Sequence, residues 1–135
     1  MDIGKSKSDF KKIAEKYGIN MLVLFGSQAT GRTHPKSDID IGYTASREIE
    51  LNIRFEIEIE ISRMLGKKDI EFVDLQRISP VMKKIIADEG IVLYERVQGI
   101  FESFCMYAFK LYIETKPLRE SRYQSLRNFA YGTSR

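Results

Sequence analysis

Apolar residues recur along this chain in two rhythms, which together predict helices and strands in alternation. Residues 6–17 (SKSDFKKIAEKY) place apolar side chains three and four positions apart and are followed by a glycine, which predicts a helix. The next run, 19–26 (INMLVLFG), is almost entirely apolar, as is typical of a short strand covered on both faces. Two further strands are predicted at 38–44 (DIDIGYT) and at 67–75 (KKDIEFVDL).

The second half of the chain is predicted to be mostly helical. In the run SPVMKKIIADEG, Ser79 can cap a helix and Pro80 suits its first position. The run IVLYE, at 91–95, then gives a short last strand or an extended segment. Residues 96–130 carry aromatic and aliphatic side chains at helical spacing, and Pro117 interrupts this pattern, so we expect two helices there.

Residues 46–65 fit both rhythms. Apolar residues alternate strictly with polar ones through the middle of the segment, which favours a strand, but isoleucines also recur four positions apart, which favours a helix. Strands usually have roughly 5–6 residues, so we interpret this longer segment as a helix with Ser46 as a candidate cap. Leu51, Phe55 and Ile59 then form a second apolar stripe away from the first, which a subunit or partner contact would explain.

The composition limits the kinds of protein and of metal site to consider. The chain has 135 residues, 43% of them hydrophobic and 30% charged, which fits one globular domain with an appendage. No apolar run approaches the roughly 20 residues of a membrane span, and the N-terminus lacks the apolar core of a secretory signal. The one cysteine, Cys105, cannot form an internal disulfide, which favours the cytoplasm. With one histidine and one cysteine, any metal must be bound by carboxylates, which points to Mg²⁺, Mn²⁺ or Ca²⁺.

Charge is spread unevenly and suggests a division of the chain. Residues 1–95 hold 15 Lys and Arg against 16 Asp and Glu, whereas residues 96–135 hold 7 against 3. We therefore treat 1–95 as a domain and 96–135 as a basic helical tail. Such a tail favours an anionic partner, and the alternative is an ordinary solvated helical face.

Two carboxylates in an apolar strand are the first chemical signal. Asp38 and Asp40 are two positions apart, so on a strand they point to the same face. Two adjacent carboxylates repel each other and lose solvation on burial, and a bound cation makes the arrangement favourable. Glu71 can supply a third oxygen ligand if its strand lies alongside. A site with few carboxylate ligands, whose coordination shell is completed by phosphate oxygens and water, is typical of Mg²⁺.

A phosphate-binding segment is the second signal. Gly26 ends a predicted strand and Ser27 begins a short helix, where backbone N–H groups and a hydroxyl can bind an anion. Arg32 and Lys36, in the following loop, can add positive charge against phosphate. Together with the carboxylates, this segment indicates a nucleoside triphosphate held for in-line attack.

The run GSQATGRTHPKSDIDI resembles the signature of DNA-polymerase-beta-like nucleotidyltransferases, in which Gly-Ser is followed after ten residues by Asp-x-Asp. The wider resemblance covers 6–95 and is to the smallest members, the minimal nucleotidyltransferases. The sequence after it resembles the tail of those found as antitoxins beside HEPN ribonuclease toxins. The implied fold is the α+β nucleotidyltransferase palm, a small mixed β-sheet of three to four strands flanked by helices, with a C-terminal helical tail.

The resemblance also implies roles for individual residues. Gly26 and Ser27 are similar to the phosphate-binding pair, and Asp38 and Asp40 to two catalytic metal ligands. The third carboxylate of the family lies in the next core strand. Glu71 fits it better than the nearby aspartates of that strand do, although the family more often has Asp there.

The implied reaction is transfer of AMP from ATP, with Mg²⁺, to a hydroxyl, and pyrophosphate is released. Two Mg²⁺ ions would neutralise charge on the phosphates, and Glu71 or Asp40 would help to deprotonate the acceptor. For antitoxins of this type the acceptor is a tyrosine of the HEPN toxin. No membrane association and no direct nucleic-acid binding are expected, and homo-oligomers or hetero-oligomers with the toxin stay open. The alternatives are an antitoxin that acts by binding and occlusion, and nucleotidyl transfer to a small molecule.

Overall fold

The protein is described by a computed structural model that covers residues 3–31, 38–67 and 69–132. Six helices and four strands follow one another in these residues: α1 Ile3–Tyr17, β1 Ile19–Phe25, α2 Ser27–Thr30, β2 Ile39–Ala45, α3 Leu51–Leu65, β3 Ile70–Asp74, α4 Pro80–Glu89, β4 Ile91–Glu95, α5 Ile100–Glu114 and α6 Lys116–Ala130. The helices and strands predicted from the two rhythms are therefore confirmed.

The four strands form one mixed sheet in the order β3-β2-β1-β4. β1 runs antiparallel to β2 and to β4, whereas β2 and β3 are parallel. Parallel neighbours need a crossover connection, and α3 supplies it between β2 and β3. The predicted α+β fold with a small mixed sheet is confirmed.

Helices cover the sheet on both faces. α1 and α3 pack on one face, where the core includes Phe10, Ile41, Ile57 and Phe72. α4 and α5 pack on the other, against a smaller cluster around Val23, Leu75 and Ile86. Because successive side chains of a strand alternate between faces, the polar positions of β2 point towards the α4 and α5 side.

The segment 46–65, whose pattern fitted both a strand and a helix, forms the helix α3, but this helix begins at Leu51 rather than near Ser46. Ser46 directly follows β2, where its hydroxyl accepts a hydrogen bond from Asn20 Nδ2 at 3.0 Å, and the N-cap position falls to Glu50. The predicted second apolar stripe is confirmed, because Leu51, Phe55 and Ile59 are 59%, 54% and 50% exposed.

The tail contains the two predicted helices. α5 packs against α4, whereas α6 contacts α5 and buries none of its own residues. At the junction, Arg119 donates hydrogen bonds to Thr115 Oγ1 at 2.6 Å and to the Tyr112 carbonyl at 2.8 Å. Within the described ranges, every helix is too short or too polar to cross a membrane.

Candidate active site

The structure brings Asp40 and Glu71 side by side. Asp40 on β2 is the register partner of Glu71 on β3, so both carboxylates lie on the same face of the sheet. The neighbours Ile39 and Ile41 are fully buried towards α1 and α3. The two acids therefore share the opposite face, at the end of β2 where the strand begins.

The pKa of Asp40 is raised by burial and by the neighbouring acids. Burial, a hydrogen bond with Glu71, and repulsion from Glu71 and Asp38 together raise the pKa of Asp40 from 3.8 to about 6. Two carboxyls share a hydrogen bond when one of them keeps its proton. A divalent cation bound between them can replace that proton at neutral pH, so this pair fits a Mg²⁺ ligand set.

Gly26 packs directly against Asp40. Phe25 and Asp40 are register partners, which places the residue after β1 beside that carboxylate. Gly26 has φ +75°, and a Cβ there would lie 2.3 Å from Asp40 Oδ2. Only a residue without a side chain fits both the backbone conformation and this contact. The Gly-Ser segment and the candidate metal ligand therefore form one site.

The short helix α2 begins at this point. Its hydrogen bonds start with Ala29 N and Thr30 N, which donate to the Gly26 carbonyl at 3.1 and 3.2 Å. The N–H groups of Ser27 and Gln28 precede those bonds and, as at any helix start, have no acceptor within the helix. They lie next to Gly26 and can bind an anion there.

Asp38, the remaining carboxylate predicted to bind metal, is less closely associated with the other two. It lies one residue before β2, exposed, and its charge acts on Asp40. In the ranges that the structure describes, no three His, Cys, Asp or Glu side chains are gathered closely enough to hold a metal as they stand. Arg32 and Lys36, predicted to bind phosphate, lie outside the described residues.

Sequence reasoning missed two charged residues of α3, Arg54 and Glu58, which line one cleft at the β3 edge together with Glu71. The Glu58 carboxylate accepts a hydrogen bond from the Phe72 N–H of β3, and burial raises the pKa of Glu58. Arg54 Nε is buried and has no hydrogen-bond acceptor among the described residues. Their spacing of four places them on one flank of α3, between its two apolar stripes, and that position was a signal available in the sequence.

Comparison with known proteins gives a family and several relatives. The family model "Polymerase beta, Nucleotidyltransferase" matches residues 8–98. The protein adenylyltransferase MntA of Aphanizomenon flos-aquae is 28% identical over 121 residues, which are 82% of this chain and 80% of that protein. The protein adenylyltransferase MntA of Shewanella oneidensis is 27% identical over 103 residues, 76% of this chain and 73% of that protein.

Solved structures share the fold. A toxin–antitoxin crystal structure with AMP-PNP superposes with a TM-score of 0.76 at 24% identity, over 90% of this chain and 98% of the other. A chain from the structure of a tri-AMPylated Shewanella oneidensis HEPN toxin in complex with MNT antitoxin gives a TM-score of 0.73 at 20% identity, over 93% of this chain and 99% of the other. The likeness extends beyond the sheet and takes in most of each chain.

Proposed function

Because this chain belongs to the polymerase beta nucleotidyltransferase family, we propose that it transfers AMP from ATP to a tyrosine hydroxyl of a HEPN ribonuclease toxin. It would thereby act as the antitoxin of that protein in the cytoplasm. The names of its relatives support the reaction, since two of them are protein adenylyltransferases. The partner is supported by the complexes in which proteins of this fold occur.

The contact of Gly26 with Asp40, whose register partner is Glu71, is the observation on which the proposal rests. It joins a cation-binding pair of carboxylates to a helix start that can bind phosphate. A pair of acids at a strand end without an anion site beside it would suit a structural metal equally well. The combination suits a metal–nucleotide complex, in which both the ion and its phosphates need ligands.

Each predicted residue has a role in this proposal. Asp38, Asp40 and Glu71 would hold two Mg²⁺ ions, which would supply positive charge against the phosphates during transfer. The N–H groups at Ser27 bind the phosphates and orient the α-phosphorus. Arg32 and Lys36, whose places in the structure are not described, are proposed to add positive charge near the leaving pyrophosphate.

The helical tail, 96–135, is proposed to attach the enzyme to its partner. α6 buries none of its residues, and Leu126, Phe129 and Tyr131 are 68%, 89% and 76% exposed. The tail also carries 7 Lys and Arg against 3 Asp and Glu. Exposed aromatic residues among basic ones suit a partner surface that is apolar at its centre and acidic around it.

The direct test is a labelling assay. The purified protein is incubated with Mg²⁺, α-labelled ATP and the HEPN product of the neighbouring gene, and both label and intact mass are followed. We expect the partner to gain the mass of one or more AMP units, and peptide mapping to place them on tyrosine. Asp40→Asn should lower the rate at least about a hundredfold, as loss of a metal ligand does.

A matched control separates loss of catalysis from loss of charge. Asp88→Asn removes an exposed carboxylate on α4 that pairs with Lys84 and is not among the groups that act on Asp40, so it should keep the wild-type rate. If the wild-type protein forms a stable complex and inhibits the ribonuclease without labelling it, and Asp40→Asn inhibits equally well, the protein acts by occlusion. That result would refute the transferase proposal.

A further inference from the structure

The strand order sets the direction from which an acceptor can reach the site. β1, β2 and β3 are adjacent and carry Gly26, Asp40 and Glu71 in one row. Adjacent strands lie about 4.8 Å apart, so the row spans roughly 10 Å. If the triphosphate occupies the Gly26 end, as the proposed function requires, in-line displacement needs the attacking hydroxyl on the opposite side. That side is the β3 edge, beside Glu71.

A groove of about 380 Å³ opens at that edge, between α3 and β3. Glu71 forms part of its wall. Its apolar lining, which we call the acceptor groove, consists of Leu51, Phe55, Phe72, Val73 and Ile78. Leu51 and Phe55 are more than half exposed although they are large and apolar. Leu51 and Phe55, which belong to the stripe predicted from sequence to meet a partner, therefore line the same groove as Glu71, the candidate third carboxylate.

One backbone donor at the edge of β3 is already used. Glu58 accepts the hydrogen bond of Phe72 N–H, which a paired strand would otherwise use. Beneath it, the Phe72 and Tyr43 rings stack with centroids 4.3 Å apart, which fixes the groove floor. At Phe72, recognition in this groove therefore uses side chains rather than backbone pairing. Arg54, which also lines it, brings a guanidinium whose Nε has no acceptor among the described residues.

We propose that the acceptor groove binds the segment of the partner protein that carries the acceptor hydroxyl. A large apolar side chain of that segment packs on Phe55 and Leu51, and this contact sets the hydroxyl beside Glu71. The hydroxyl oxygen then bonds to the α-phosphorus, and the bond from that phosphorus to the α,β-bridging oxygen breaks. Pyrophosphate leaves with the electron pair, and the hydroxyl proton passes to Glu71 and on to water. This inference rests on the proposed function.

The test compares two truncations on the same stripe of α3. Phe55→Ala removes a groove side chain that is 54% exposed, and Ile59→Ala removes a 50% exposed side chain that does not line the groove. We measure AMP transfer to the HEPN partner below saturation and, separately, the affinity for Mg²⁺-ATP. Phe55→Ala should lower kcat/KM for the partner about tenfold, as truncating an anchoring aromatic does. Its affinity for Mg²⁺-ATP should be unchanged, and Ile59→Ala should match the wild type in both.

The possible outcomes distinguish failure of the proposed acceptor groove from failure of the proposed transfer reaction. If the wild-type protein labels its partner and Phe55→Ala does so with the same kcat/KM, the proposal of an acceptor groove is refuted, whereas the proposed transferase function is supported. An equal loss in Ile59→Ala would assign the effect to the whole stripe as a docking surface and would likewise overturn the groove. If the wild type itself transfers no AMP, the proposed function fails, and the acceptor groove fails with it.

Discussion

At the scale of single residues, the site depends on one contact between a glycine and a carboxylate. Gly26 has φ +75° and leaves no space for a Cβ beside Asp40 Oδ2. The sequence identified both residues, but it could not show that they touch. The spacing of ten residues between Gly-Ser and Asp-x-Asp becomes a contact only through the antiparallel register of β1 and β2.

Gly26→Ala should therefore damage the site beyond its effect on the backbone. Gly66, at φ +67° and ψ +28°, has the left-handed helical conformation, which costs about 1 kcal/mol for a residue with a side chain, whereas Gly26, at φ +75° and ψ −155°, lies in a region that only glycine adopts readily. Gly66→Ala, with nothing within 4 Å of the added Cβ, should show the left-handed helical cost alone. We expect Gly26→Ala to be the less stable variant in urea unfolding and to lose Mg²⁺-ATP binding, whereas Gly66→Ala keeps it. Equal stability and binding in the two variants would contradict both the backbone strain expected at position 26 and the close contact with Asp40.

The raised pKa of Asp40 predicts how the stability of the metal-free protein depends on pH. This pKa is 3.8 in a free chain and about 6 in the fold, so without metal the folded state holds this proton more tightly. The resulting stabilisation is complete below pH 3.8 and is lost as the pH rises through about 6. The Tm of the metal-free protein, followed across that range, should fall relative to the Tm of Asp40→Asn. At neutral pH, Mg²⁺ should raise the Tm of the wild type and not of the variant; parallel Tm curves for the two proteins would contradict this.

At the scale of elements, α3 shows what sequence patterns determine and what they leave open. Its two stripes followed from the spacing of Ile57 and Ile61 on one side and Phe55 and Ile59 on the other. Its start was misjudged because capping preference favours Ser46, whereas pairing of β2 with β1 extends the strand to Ala45. Local propensity is read from neighbours in sequence, and the strand pairing that overrides it joins residues far apart.

The two faces of α3 should respond differently to the same substitution. Ile61 is fully buried and Ile59 is half exposed. Ile61→Ala leaves a cavity and should lower the free energy of unfolding by about 2–4 kcal/mol. Ile59→Ala should change it by less than about 0.5 kcal/mol. Chemical denaturation of both variants gives the comparison, and a large loss in Ile59→Ala would mean that this stripe is already covered within the protein.

At the scale of the whole molecule, the order of the strands in the sheet brings the Gly-Ser segment and the carboxylates together in one candidate site. The sequence predicted the strands and the residues on them, and the family resemblance implied that a third carboxylate would join the first two. Neither could give the register that sets Asp40 against Glu71, or the groove that opens beside them, because both depend on how α3 crosses between parallel strands. The candidate active site lies at the start of β2, whereas α6 lies against α5, so the proposed attachment and the proposed transfer can be tested separately.

Phe129→Asp tests the attachment proposed for the tail. Phe129 is 89% exposed on a helix with no buried residue, so the substitution should leave the free energy of unfolding within about 0.5 kcal/mol of the wild type. It places a charge where an apolar partner surface would pack, and should weaken the complex at least about tenfold by calorimetry. Val81→Asp is the matched control, because it adds the same charge at a 40% exposed apolar position near the start of α4. Unchanged partner affinity in Phe129→Asp would exclude this end of α6 from the interface and move the search to the exposed side of α5.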